Sequence, residues 1–127
     1  MRTSKSLLTG VFTGLLLLGS NVALAQSDIA ASYQSSPESV QRGRQLFLAH
    51  CTQCHGENGK AEASPMADAT DLTAPDRWLN GTRKEDVFVS INAGAGIDMP
   101  PFGFTLEDEQ DVVDLANYVM SLWPKAQ

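Results

Sequence analysis

Apolar and small positions recur along this chain every three or four residues, the period of one helical face. Val40, Gly43, Phe47 and His50 or Cys51 form the first such series. Ser36 is placed to cap it and Pro37 to open it, since the first helical position needs no N–H donor. Glu38 adds negative charge to the first turn, where the helix dipole favours it. A second helix is predicted after Thr82, with Glu85 as capping-box partner and Val87, Phe88 and Ile91 inside, stopping at Gly94 and Gly96. A last helix is capped by Thr105 with Asp108 three residues on, and Glu107 and Glu109 fall in its first turn. Its buried face is Val112, Leu115, Ala116 and Val119, joined by Leu122 or Trp123, and Pro124 ends it.

Loops separate these elements. Gly56, Gly59 and Pro65 interrupt any period, and residues 71–75 read as a turn. Trp78 and Leu79 are expected on a short helix ending at Asn80 and Gly81. Residues 97–103 cannot be helical through Pro100 and Pro101 and form an extended, stiff loop. No strand-period segment of convincing length and no internal repeat occurs, so the fold class is all-α.

The N-terminus differs from the rest. Arg2 and Lys5 precede a short apolar run, residues 7–19, and Ala23-Leu24-Ala25 places small residues where signal peptidase reads them. That order is a secretory signal peptide, residues 1–25, cleaved before Gln26. An uncleaved anchor is the rival reading, but the run falls short of the roughly 20 residues a spanning helix needs. Residues 26–36 are polar and without period, a flexible arm. Residues 37–124 make one small domain.

Cleavage also changes the charge. All 15 acidic residues survive it while two of nine basic ones are lost, so the net charge moves from −6 to −8. Such a chain is unsuited to nucleic acid or an anionic membrane surface, where phosphates must be met by Lys and Arg. It suits a partner with a positive docking surface, or the charge serves solubility.

The chain has two cysteines, in the run Cys51-Thr52-Gln53-Cys54 with His55 next. Cys-x-x-Cys-His is the signature of covalent haem attachment. Thiols two residues apart can add to the two vinyl groups on one side of a haem, and the next residue then lies under the iron. Cys51 and Cys54 are the expected thioether anchors of one haem c, and His55 its proximal ligand. A thioredoxin-like dithiol would sit in a βαβ pattern, which is missing. A zinc site built from His50, Cys51, Cys54 and His55 would crowd four ligands into six residues. A disulfide between neighbours is the third alternative.

The sixth iron position admits few donors. The only other histidine, His50, is too close to the attachment site to reach the opposite face. Met120 falls within the last helix as core, and Met66 is near the proximal side. Met99 lies in the loop stiffened by Pro100 and Pro101 and is the favoured ligand. The metal ligands are therefore expected to be His55 and Met99.

In these features the chain resembles the small monohaem class I c-type cytochromes of bacterial periplasms, from about Val40 to Trp123. The resemblance rests on Gly43 and Phe47 leading into Cys51-Thr52-Gln53-Cys54-His55, on Met99-Pro100-Pro101-Phe102, and on Leu115-Ala116-Asn117-Tyr118-Val119 in the last helix. It implies first and last helices crossing at Gly43 beside Phe47 and Tyr118, with Met99 as distal ligand. It implies a backbone carbonyl near Pro65 accepting the other ring N–H of His55, and Arg77 and Trp78 as candidates for propionate contact.

The expected function is one-electron carriage in the periplasm by a monomer, between a redox donor and acceptor, with no catalytic residue. A His/Met-closed haem leaves no site for substrate. Two alternatives stand beside it: a dedicated electron-transfer subunit of a dehydrogenase or oxidase complex, and a haem protein with an open sixth position.

Overall fold

The computed structural model describes residues 33–66, 69–106 and 108–125. The expected signal peptide and the arm up to residue 32 lie outside the described residues. Four α-helices, two short 3-10 turns and no strand occur among the described residues. They are α1 (Pro37–His50), α2 (Thr52–His55), a 3-10 turn at Pro75–Arg77, α3 (Lys84–Ala93), a 3-10 turn at Phe102–Phe104, and α4 (Glu109–Ser121). The all-α expectation holds.

Helix α1 starts as its sequence dictates, with Ser36 Oγ accepting the Ser39 N–H at 3.1 Å and Pro37 in the first turn. It buries Ser39, Gly43 and Phe47, one row of four-residue spacing, and leaves Val40 half-buried. At its end His50 is exposed and Cys51 is the residue turned inward.

The two later helices begin where a carboxylate, rather than the expected threonine, caps them. Helix α3 follows Arg83, not Thr82. Asp86 accepts the Arg83 backbone N–H at 3.1 Å and its guanidinium at 2.7 Å, the part expected of Glu85. Helix α4 follows Asp108, whose Oδ1 accepts the Gln110 N–H at 3.0 Å. Thr105 is consumed earlier, closing the 3-10 turn with its N–H on Phe102 O at 2.9 Å. That turn also curls part of the loop expected to be extended, although Pro100 and Pro101 stay outside it. The short helix expected at Trp78 and Leu79 lies one step earlier: Pro75 opens it, Trp78 leaves it with extended backbone, and Leu79 is exposed.

Helix α4 is buried all round from residue 112 to residue 119. It crosses α1 at Gly43, where a Cβ would stand 1.9 Å from Asp114 O and 2.9 Å from Tyr118 Cβ, so only glycine permits the approach. The Phe47 and Tyr118 rings meet beside it, centroids 5.1 Å apart. The crossing implied by the resemblance is therefore present. Val87 and Ile91 of α3 join Phe47, Val112, Leu115, Ala116 and Val119 in one core. Each fully buried side chain of this size contributes about 1.5–3 kcal/mol.

A polar cluster is embedded in that crossing. Asp114, fully buried, accepts hydrogen bonds from Ser39 Oγ at 2.5 Å, Gln110 Nε2 at 3.0 Å and Arg42 Nε at 2.5 Å. Asn117 Nδ2 donates to Ser39 Oγ at 2.7 Å. Burial pushes the Asp114 carboxyl up, but these donors and the Arg42 charge outweigh it and hold it below the usual aspartate range. Tyr33, just before α1, lies against α3 and α4: it packs on Phe88, 5.8 Å between centroids, and donates its hydroxyl to Glu109 at 3.0 Å.

Candidate functional site

The path from α1 to the chemistry is short. Cys51 caps α1 with its N–H on Phe47 O at 2.9 Å, and the next turn, α2, is closed by His55 N–H on Cys51 O at 2.9 Å. Gly56, at φ 69°, then turns the backbone away. Both thiols and the imidazole are thus fixed to the end of a helix anchored at Gly43. All three side chains are half-buried, as expected of groups that face a cofactor from one side.

Both cysteines are unpaired. Burial, then the neighbouring Cys54, pushes the Cys51 thiol up to about 11. Burial also lowers His55, partly offset by its bond to Thr70, which leaves the ring neutral near pH 7. His55 Nδ1 lies 3.0 Å from Thr70 O. A carbonyl only accepts, so Nδ1 carries the proton and Nε2 presents its lone pair. Among the described residues no group of three or more His, Cys, Asp or Glu gathers as a metal site of its own.

The second-sphere carbonyl differs from the one expected. It belongs to Thr70 rather than to a residue near Pro65, because the chain turns through Gly59 before returning beneath the histidine: Leu72 N–H bonds Gly59 O at 2.7 Å. Arg77 is exposed. The Trp78 indole N–H goes to Asp71 O at 3.2 Å, a bond within the loop rather than one held in reserve for a propionate.

Met99 sits in a loop built to hold it. It exchanges both backbone bonds with Ala95, at 3.2 and 3.3 Å, and Gly94, at φ 82°, brings its Cα so near that a Cβ would stand 2.5 Å from Met99 O. Its side chain is half-buried and packs against the same apolar core as Cys51, Leu72 and Trp78. Met66 is half-buried in the proximal loop, and Met120 packs on the core from α4. The donor set, an imidazole with one free nitrogen, two unpaired thiols and a thioether on a pinned loop, fits a haem of the c type.

Residues 38–119 match the family model described as cytochrome c oxidase, cbb3-type, subunit III. The chain belongs to that family. It is 32% identical over 96 residues to the cbb3-type cytochrome c oxidase subunit CcoP of Rubrivivax gelatinosus, covering 76% of this chain and 30% of the relative. It is 34% identical over 104 residues to subunit FixP of Sinorhizobium medicae, covering 75% and 34%. The chain thus spans about a third of the length of the curated relatives it matches.

Among solved structures, cytochrome cL of Methylophaga aminisulfidivorans aligns with a TM-score of 0.60 at 22% identity, over 72% of this chain and 57% of that one. A chain of the Kuenenia stuttgartiensis reducing HAO-like protein complex Kustc0457/Kustc0458 aligns with a TM-score of 0.63 at 24% identity, over 72% and 46%. These two establish the fold. The resemblance to class I cytochromes c is therefore confirmed, and a cytochrome c domain of this family serves electron transfer rather than catalysis.

Two features had no counterpart in the sequence reading. Thr70 acts through a backbone atom, which leaves no mark on residue type. Asp114 and Asn117 did leave one: both are polar positions in a helix whose apolar residues, Val112, Val113, Leu115, Ala116 and Val119, surround them on all sides.

Proposed function

We infer that this chain is the haem-c-bearing electron-transfer domain of an oxidase-type complex. Cys51 and Cys54 are the thioether anchors of one haem, and His55 and Met99 are the iron ligands. The observation that carries this reading is the His55 Nδ1–H bond to Thr70 O, which turns the other nitrogen outward beside two unpaired thiols. When bound, the haem supplies a centre that cycles between Fe(II) and Fe(III), its potential raised by a thioether ligand. The chain's own part is to hold the imidazole in one tautomer, keep Met99 on a stiff loop and exclude water with Leu72, Trp78 and the core behind them.

The freely diffusing carrier expected from sequence gives way here to its alternative, because the curated relatives are oxidase subunits. Partners are then redox proteins with positive docking surfaces, matching a net charge of −6 before any cleavage. Export to the periplasm follows from the signal peptide read at residues 1–25 and accords with covalent cofactor retention. No helix among the described residues is long and apolar enough to cross a membrane.

The test is the purified protein's absorption spectrum, oxidised and reduced, with its intact mass under denaturing conditions. Sharp low-spin reduced bands and the mass of one attached haem support the reading. A protein without haem, from a host able to attach it, sinks it. Co-purification with a large oxidase separates the complex component from the free carrier.

A further inference from the structure

Thr70, whose carbonyl orients His55, begins a run in which three successive carbonyls each accept a side-chain N–H. Thr70 O accepts from His55 Nδ1 at 3.0 Å, Asp71 O from Trp78 Nε1 at 3.2 Å, and Leu72 O from Trp123 Nε1 at 3.1 Å. The two donors are not independent. The Trp78 and Trp123 rings meet edge to face, 5.3 Å between centroids and 89° between planes. Trp123 itself lies just past the Leu122 cap of α4, its backbone N–H on Met120 O at 3.2 Å.

The segment is pinned from its other side as well. Leu72 N–H reaches Gly59 O at 2.7 Å, and Gly59, buried at φ 75°, is approached so closely by Leu122 that a Cβ would stand 2.9 Å from it. Asp71 Oδ1 folds back on Thr73, accepting its N–H at 2.8 Å and its hydroxyl at 2.7 Å. A carbonyl on an otherwise exposed loop residue such as Thr70 would ordinarily reorient at little cost. Here the next two peptide planes are held by indoles that belong to the core.

We propose that Trp78 and Trp123 are positioning residues for the iron-ligating histidine: they hold residues 70–72 as a rail whose first carbonyl fixes the tautomer and ring plane of His55. Helix α4 thereby grips the histidine from both ends. Its crossing at Gly43 anchors α1, which leads into Cys51, and Trp123, just beyond its end, holds Leu72 O, two residues from the carbonyl that faces His55. This inference rests on His55 as the haem ligand.

The effect has a sign. A hydrogen bond to Nδ1–H raises the basicity of the ligating imidazole. Loosening the rail weakens that bond, makes the imidazole a poorer donor to the ferric state and raises the midpoint potential. The His55 Nδ1 proton should also exchange with solvent faster.

The experiment compares haem-loaded wild type with Trp123→Phe and Trp78→Phe, which keep an aromatic ring and remove the indole donor. Val112→Ala, a core cavity distant from the rail, is the control for lost stability alone. Midpoint potential and NMR exchange of the His55 Nδ1 proton are read on each. The expected result is a more positive potential and exchange about tenfold faster in the tryptophan variants, the loss of one net hydrogen bond, with neither change in Val112→Ala. Either tryptophan variant that folds carries the test. Unchanged potential and exchange in a folded variant overturn the rail while leaving His55 as ligand. Wild type lacking a low-spin haem overturns both.

Discussion

The helix crossing and the two ligand loops of this domain are built on opposite principles. At the crossing, α1 and α4 touch backbone to backbone, residues 112–119 are all buried, and Ser39, Asp114 and Asn117 are enclosed with them. At the loops, Cys51, Cys54, His55 and Met99 are all half-buried, and their order comes from backbone hydrogen bonds, glycines at positive φ and prolines. The first region supplies stability without chemistry. The second presents donor atoms outward and depends on the first for its rigidity. A domain of this size, with a modest core, concentrates close packing where it costs no access to the cofactor.

The largest expected effect strikes the crossing. Gly43→Ala forces a methyl into Asp114 O, which belongs to backbone and cannot yield, so a loss of about 3 kcal/mol or more is expected in chemical denaturation. If the variant were as stable as wild type, the close approach would be wrong. Next comes Asp114→Ala, which strands Ser39 and the guanidinium of Arg42; since Arg42 is 54% exposed and can rehydrate, the loss is about 2 kcal/mol.

The same carboxylate sets a pH dependence. Its folded value lies below the ordinary aspartate range, so in that window the unfolded chain binds more protons. The stabilisation is present above the unfolded value of about 3.9 and is lost as pH falls through the lower folded one. The melting temperature of wild type should therefore fall more steeply below pH 4 than that of Asp114→Asn. Equal slopes would remove Asp114 as the cause.

In the loops the balance reverses. Gly94→Ala should cost about 1–2 kcal/mol, from its φ of 82° and the nearness of Met99 O, yet disturb the sixth iron position out of proportion to that loss. The smallest stability change is expected for Met99→Leu, under about 1.5 kcal/mol because the two side chains have similar volume. The comparison breaks if Met99→Leu unfolds the domain.

How much of this could be read beforehand divides along the same line. The Cys-x-x-Cys-His run is local, so it is legible from spacing, and the loop downstream carries the rest of the haem expectation. The α1 start was legible because Ser36-Pro37 leaves one choice of cap. Thr105 was expected to cap α4, but it closes the 3-10 turn begun at Phe102, and Asp108 is the cap instead. The α3 cap moved from Thr82 to Arg83 because Asp86, not Glu85, accepts the capping N–H. Gly43, Phe47 and Tyr118 came from family likeness, and the structure supplies the reason: an approach that a single Cβ would block. Thr70 was beyond reach, since a backbone acceptor has no residue signature and the path through Gly59 sets its position. Asp114 was legible in principle, since apolar neighbours on every side argue against solvent.

Carbon monoxide binding to the reduced protein, wild type beside Met99→Leu, tests the account most directly. The account predicts an unchanged low-spin spectrum for wild type and one carbon monoxide bound per haem in the variant, with the fold of both intact. Carbon monoxide binding equally to both would mean that Met99 does not close the iron, and the division between a stabilising crossing and ligand-bearing loops would lose its distal half.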